Sequence, residues 1–144
     1  MKIAIASDHA GYDLKMKIKP YLEKKGYELV DFGSYSAESS DYADFAHPMA
    51  EAVSENKVDL GISMCGSGNG INMAANKHEH IRSALCWEPE IARLARQHNN
   101  ANICALPARF LEEEKAKQIV DIFLTTEFEG GRHQRRIEKI SIRK

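Results

Sequence analysis

The sequence predicts an α/β fold: a five-stranded parallel sheet covered on both faces by helices, with strand order 2-1-3-4-5. Three observations carry this. Five short apolar runs recur along the chain, each separated from the next by a segment with helical spacing. Most runs are nearly continuous in apolar residues rather than alternating, as expected of strands buried on both faces. The length of 144 residues, 43% of them hydrophobic, suits one domain with a substantial core.

The elements follow in order. Residues 2–6 form the first strand, ended by Ser7-Asp8-His9. Leu14, Ile18, Tyr21 and Leu22 then recur at helical spacing, and Gly26 stops that helix. Residues 27–32 are the second strand, ended by Gly33; 34–43 read as a polar loop and 45–54 as a helix. The third strand, 58–64, runs into Cys65-Gly66-Ser67-Gly68-Asn69-Gly70, and a helical pattern resumes over 71–77. A short strand at 83–86 precedes a helix at 89–97, which has Pro89 in its first turn. The fifth strand is 102–106. The helix over 111–125 carries Ala116, Ile119, Val120, Phe123 and Leu124 on one face, and a last helix is expected over 132–142. With no repeat or linker, residues 1–144 read as one domain, in which 130–144 form a basic C-terminal helix or arm.

Composition narrows the function. A charged fraction of 28% and the absence of any run of about 18 apolar residues exclude a membrane span and a disordered chain. A net charge of −1 excludes a generally basic nucleic-acid binder. The charge is uneven, however. Residues 130–144 hold six basic side chains and one acid, Glu138, leaving the other 129 residues with 14 basic and 20 acidic ones. A basic tail on an acidic body points to a local anion site. Cys65, Cys86 and Cys104 are odd in number and widely spaced, which argues against a disulfide framework or a zinc site. Met1 leads directly into an apolar strand with no signal-like segment, so a reducing, cytoplasmic setting is expected.

Ligands of open α/β sheets bind outside the carboxyl ends of the strands. The glycine-rich run Cys65–Gly70 lies at such an end. Its backbone N–H groups can approach a ligand closely and point at negative charge. The alternative is a plain tight turn. No Gly-Lys-Ser/Thr follows, and the dinucleotide spacing is absent, which argues against NTP and NAD. Cys65 is a candidate base or nucleophile, since a helix N-terminus and a nearby hydroxyl such as Ser67 favour a thiolate; the alternative is a small buried apolar residue. Asp8 and His9 close the first strand and suit proton transfer, or merely cap a helix. His98-Asn99-Asn100 follows the 89–97 helix and reads as a C-cap on its own. Arg109 follows the fifth strand. Arg132 and Arg136 lie four apart on one helical face, with His133 and Arg135 adding charge. Cations in a first helical turn oppose the macrodipole by roughly 0.3–1 kcal/mol, which a bound anion would offset. Arginine suits bidentate phosphate binding, and no aromatic platform for nucleic acid accompanies these. His47, His78 and His80 lack metal-ligand spacing and read as surface or structural residues.

Taken together, these segments resemble the ribose-5-phosphate isomerase B family, which also includes the galactose-6-phosphate isomerase subunits. The matching pieces are Ser7-Asp8-His9-Ala10-Gly11, Cys65-Gly66-Ser67-Gly68-Asn69-Gly70, Ala75-Asn76-Lys77, Arg96-Gln97-His98-Asn99, and Gly130-Gly131-Arg132-His133 through Arg136-Ile137. The resemblance implies a Rossmann-like three-layer sandwich. It implies reversible isomerisation of an aldose phosphate to a ketose phosphate through a cis-enediolate, with no metal and no organic cofactor. It further implies a homodimer, often paired into a tetramer, with active sites at the dimer interface. By residue, it assigns ring opening to His98 with Asp8 and Ser67 nearby, and the isomerising base to Cys65. The enediolate falls to the N–H groups of Gly66, Ser67, Gly68, Asn69 and Gly70. Sugar hydroxyls fall to Asn99, and the phosphate to His9, Arg109, Arg132 and Arg136. One branch of the family replaces the cysteine by a glutamate at the position of Ile71; an apolar Ile71 beside an intact Cys65 places this sequence in the cysteine branch. Ribose 5-phosphate is the expected substrate. A six-carbon phosphate, such as allose or galactose 6-phosphate, is the alternative, decided by pocket depth; the loop 34–44 and Tyr42 are expected to shape that pocket. A noncatalytic sugar-phosphate sensor and a flavodoxin-like nucleotide module fit less well. A sensor has no use for Cys65 and His98, and no phosphate loop follows the first strand.

Overall fold

A computed structural model describes residues 1–142. Five parallel strands form one sheet: β1 (Lys2–Ser7), β2 (Glu28–Asp31), β3 (Leu60–Cys65), β4 (Ser83–Leu85) and β5 (Ile103–Pro107). The helices are α1 (Tyr12–Lys24), α2 (Tyr42–Ser54), α3 (Asn69–Ala75), α4 (Pro89–Asn99), α5 (Glu113–Thr125) and α6 (Arg132–Glu138). None of the described helices is long and apolar enough to cross a membrane.

The strand alternation decides which helices lie on which face. On one side, Ile3, Ile5, Ile62, Met64, Cys104 and Leu106 pack with Leu14, Ile18 and Leu22 of α1, Ala92 and Ala95 of α4, and Ile119, Val120 and Phe123 of α5. On the other side Ala4, Ala6 and Ile103 pack with Met49, Ala50 and Val53 of α2, and with Ala75 of α3. Successive residues of a strand point to opposite faces, so β1 offers bulky isoleucines to three helices and small alanines to two.

The sheet order is β2-β1-β3-β5-β4, which corrects the expected 2-1-3-4-5 by exchanging the last two strands. Burial explains the exchange. All five residues of β5 are buried, while the three of β4 are only half-buried. The fully apolar strand takes the interior slot, and the short one forms the edge. The exchange leaves the switch point of the sheet where it was expected. From β1 the chain first moves outward to β2 and then crosses to β3 on the other side. The carboxyl ends of β1 and β3 flank that point, which is where such sheets bind ligands.

Most boundaries differ from expectation by one or two residues, and three of the differences bear on the site. α2 starts at Tyr42 rather than at residue 45, because the chain turns helical directly after Asp41, whose carbonyl accepts the Asp44 N–H at 3.1 Å. α4 runs on through His98 and Asn99, and Asn100 ends it in the left-handed region at φ 45°. α6 stops at Glu138 rather than at 142, since only His133 and Ile137 of it are buried and no further face docks. Of the basic segment 130–144, Arg143 and Lys144 lie outside the described residues.

Candidate active site

Ten of the expected site residues converge at the carboxyl edge of the sheet, around the switch point. Asp8 and His9 follow β1; Cys65 ends β3, and Gly66–Gly70 lead into α3. Asp8 is buried, and its Oδ1 accepts the Gly11 N–H at 3.1 Å, which fixes the carboxylate over the start of α1. His9 is anchored by Ser40: its N–H donates to Ser40 Oγ at 3.1 Å, and Nδ1 lies 3.2 Å from both the N–H and the carbonyl of Ser40. These contacts engage Nδ1 and leave Nε2 as the ring nitrogen for a ligand.

The glycine loop is held open by its neighbours. Gly68 sits at φ 79°, and a Cβ there would lie 2.5 Å from Leu85. At Gly70 a Cβ would meet the ring of Tyr42 at 2.5 Å, so Tyr42 lies against the loop at this edge. Ser67 Oγ accepts the Asn69 N–H at 3.2 Å. Arg109, on the turn after β5, donates its backbone N–H to the Gly66 carbonyl at 3.0 Å. Its guanidinium passes close enough that a Cβ on Gly66 would lie 3.3 Å from Nη1. Cys65 is buried with Ala46, Ile71 and Ala105. Ile71, the position expected to carry glutamate in the other branch of the family, therefore packs in the same cluster as Cys65.

The other four residues lie elsewhere in the chain. β5 starts at Ile103, which pairs with Gly61, whereas Cys65 pairs with Pro107. Gly61 and Cys65 are four residues apart, about 13 Å along the strand. His98 and Asn99 close α4 just before β5 begins, at the amino edge. Arg132 and Arg136 lie on α6, which packs near the same end: Arg96 Nε donates to the Thr126 carbonyl at 3.0 Å, and the Glu129 N–H donates to the Gln97 carbonyl at 3.0 Å. The expected residues thus fall into two groups, one at each edge of the sheet.

The amino-edge half holds a feature that sequence spacing does not reveal. His98 and His133 stack at 4.3 Å between ring centroids, with 15° between planes. Glu129 Oε1 lies 3.6 Å from Nε2 of each. Burial pushes the His133 pKa down, and the His98, Arg132 and Arg136 charges add to that, with Glu129 opposing. The three ligand atoms lie within 4.8 Å of one another. Nearly parallel rings aim their lone pairs side by side, however. A tetrahedral metal needs donors that converge at about 2 Å, so the trio fits a stacked imidazole pair facing one carboxylate better than a chelate. Glu129 is not legible in the sequence, and His133 reads there only as added charge; the stack joins two separate helices that no local pattern connects.

Comparison with known proteins gives the family. The Ribose/Galactose Isomerase family model matches residues 3–140. Ribose-5-phosphate isomerase B of Escherichia coli K12 is 46% identical over 140 residues, covering 97% of this chain and 94% of that one. The crystal structure of a Thermotoga maritima ribose 5-phosphate isomerase aligns with a TM-score of 0.95 at 55% identity, over 96% of each chain. A Mycoplasma genitalium ribose-5-phosphate isomerase B with bound ribulose 5-phosphate aligns with a TM-score of 0.92 at 48% identity, over 96% of this chain and 93% of that one. Agreement in sequence and in fold thus runs over nearly the full length of each partner, and on that basis the chain belongs to the ribose/galactose isomerase family.

Proposed function

We propose that this protein interconverts D-ribose 5-phosphate and D-ribulose 5-phosphate as an aldose–ketose isomerase. The observation that carries the reading is the ribulose 5-phosphate bound to the Mycoplasma genitalium relative, a chain of the same fold at 48% identity. The chemistry of the two half-sites supports it. Ring opening requires a proton to reach the ring oxygen while the anomeric hydroxyl loses one, a task for His98, with Asp8 and Ser67 at the sugar. Cys65 then takes the proton from C2 and returns it to C1, while the hydroxyl proton on O2 passes to O1 across the cis-enediolate. Negative charge develops on oxygen in between, and preorganised donors at such a point are worth about 2.7–4 kcal/mol each. The N–H groups of residues 66–70 are the donors in this reading. His9, Arg109, Arg132 and Arg136 take the phosphate; Asn99 and Tyr42 take sugar hydroxyls. No step calls on a metal or an organic cofactor.

The edge-to-edge separation within one protomer supports a shared site in a homodimer, in which His98, Asn99, Arg132 and Arg136 of one copy meet Cys65 and Asp8 of the other. Two individually inactive variants, Cys65→Ala and His98→Ala, are then expected to complement. Mixed, dissociated and reassociated, they regain about a quarter of wild-type turnover, because half the dimers are hybrid and each hybrid holds one intact site of two. Ribose 5-phosphate turnover with EDTA present, for wild type and for the mixture, tests both parts. An inactive wild type would sink the assigned activity; an active wild type with a dead mixture would sink the shared site alone.

Arg136→Ala is expected to raise KM for ribose 5-phosphate by roughly 10–150-fold, with less effect on kcat, since loss of a charged hydrogen bond to phosphate costs about 1.5–3 kcal/mol of ground-state and transition-state binding alike. Steady-state kinetics over a range of substrate concentrations decide this, and an unchanged KM removes Arg136 from the phosphate site.

A further inference from the structure

We infer that Arg82 is a positioning residue for ring opening, holding His98 and Asn99 in place through the carbonyls that end α4; this rests on the isomerase reading given above.

The last four carbonyls of a helix have no donor within it. In α4 the donors come from elsewhere. The Asn100 N–H reaches the Arg96 carbonyl at 3.2 Å, and the Glu129 N–H reaches that of Gln97 at 3.0 Å. The Asn99 carbonyl accepts from Arg82 Nε at 3.1 Å, and the same Nε lies 2.9 Å from the Asn100 carbonyl. One guanidinium thus joins two successive carbonyls across the left-handed residue that stops the helix. A helix commonly stops with glycine, or less often asparagine, in that conformation; here the stop also has a side-chain donor on the carbonyls at either side of it.

Arg82 is itself anchored. Its N–H donates to Asn102 Oδ1 at 2.8 Å, and its carbonyl accepts the Asn102 N–H at 2.9 Å. Asn102 Nδ2 in turn donates to the His80 carbonyl at 2.7 Å. The anchor thus sits on the residue just before β5, the interior strand. Arg96 completes the hold from the other side, donating Nε to the Thr126 carbonyl at 3.0 Å and Nη1 to Asn100 Oδ1 at 3.2 Å and to the Ala101 carbonyl. Two cations at the negative end of a helix dipole are favourable in sign. Burial nevertheless pushes the pKa of both guanidiniums down, and the Arg82 charge lowers that of Arg96 further. The fold accepts two half-buried cations around one turn, and that turn carries His98 and Asn99.

Without the Arg82 side chain, the exposed Asn99 carbonyl and the half-buried Asn100 carbonyl lose this donor and the turn relaxes. Displacing a reacting group by about 1 Å costs on the order of a hundredfold. The displaced group is His98, so the damage should fall on ring opening and not on proton transfer at Cys65.

The substrate pair allows the two steps to be read apart. Ribose 5-phosphate is mainly a furanose closed through its 4-oxygen and has to be opened. Ribulose 5-phosphate has no furanose form, because its 5-oxygen carries the phosphate. Exchange of solvent deuterium into C1 of ribulose 5-phosphate therefore reports enolisation without ring opening. For Arg82→Met, kcat on ribose 5-phosphate is expected to fall on the order of a hundredfold while C1 exchange stays within about threefold of wild type. Arg82→Lys, which restores a cationic donor, should recover most of the lost turnover; it carries the same comparison if the methionine variant does not fold. Unchanged turnover in Arg82→Met overturns the inference, and so does an equal fall in both rates, which would make Arg82 merely structural. A wild type inactive in both assays overturns the isomerase reading, and this inference with it.

Discussion

Cys65→Ala is expected to lower turnover of ribose 5-phosphate by about 10²–10⁴-fold, the contribution of a positioned general base, while ribulose 5-phosphate still binds. The fold should tolerate the change. Cys65 ends the fully buried strand β3 and packs with Ala46, Ile71 and Ala105. Removing one sulfur from that cluster deletes about a methylene's worth of buried surface, near 0.8 kcal/mol. Binding should persist because, in the proposed site, the phosphate contacts lie on His9 and the arginines and not on the thiol. Isothermal titration with ribulose 5-phosphate and the isomerisation assay, run on the same preparation, separate the two effects. Full turnover in the variant would remove Cys65 from the mechanism. The other thiols offer no substitute base. Cys86 and Cys104 are fully buried, and burial pushes the Cys104 thiol pKa up, with the Cys86 contact adding to it. Deuterium exchange at C1 of ribulose 5-phosphate should vanish along with net turnover in Cys65→Ala, the opposite of the pattern expected for Arg82→Met.

What the sequence revealed depended on the range of the interaction involved. Strands and helices are local, and their periods placed all five strands and six helices within a few residues. The residues at the carboxyl edge were legible for a related reason: a parallel sheet puts every strand's end on one side, so Asp8 and Cys65 were found by counting to the end of an apolar run, whereas Arg109, at the end of another, was singled out only by the resemblance. Strand order was not local. It turned on whether the short run at β4 or the fully apolar run at β5 took the interior slot, a competition over burial that chain order does not encode. The amino-edge half of the site was harder still. His98 reads as an ordinary helix end, and only resemblance singled it out. Its stack on His133, its shared Glu129 and the Arg82 hold on Asn99 join residues between 17 and 35 positions apart. Lys15 was missed for a simpler reason: a lysine beside Leu14 on an amphipathic helix reads as solvated, yet this one is fully buried.

That lysine leads to the largest stability effect expected in the molecule. Lys15 Nζ donates to Asp31 Oδ1 at 2.8 Å and to the Ser34 carbonyl, and Lys19 approaches Asp31 Oδ2 at 3.2 Å. The Gly33 N–H also donates to Asp31 Oδ1, at 2.9 Å. The same stretch pairs with β1 one residue before Asp8, since the Ser7 N–H donates to the Gly33 carbonyl and the Ser34 N–H to the Ser7 carbonyl, both at 2.7 Å. Asp31→Ala leaves a buried ammonium with a single carbonyl, and breaking a buried pair from one side costs about 3–5 kcal/mol. At about 2.1 cal/mol/K of unfolding entropy per residue, the 144-residue chain should melt roughly 10–16 °C lower. Lys15→Met combined with Asp31→Asn removes the charges together and keeps an acceptor for Gly33, so most of that loss should return. Burial alone would raise the Asp31 pKa, but the Lys15 hydrogen bond, the Gly33 N–H and the Lys15 charge outweigh it and hold the carboxyl below its ordinary 3.8. Its contribution is therefore present in full above pH 3.8 and is lost as pH falls through the lower, folded value. Thermal melts at neutral pH and at steps below 3.8 should show the wild type losing its advantage over Asp31→Ala only in acid. An advantage that is absent at neutral pH, or one that survives full protonation, would mean that the pair does not hold this corner of the sheet.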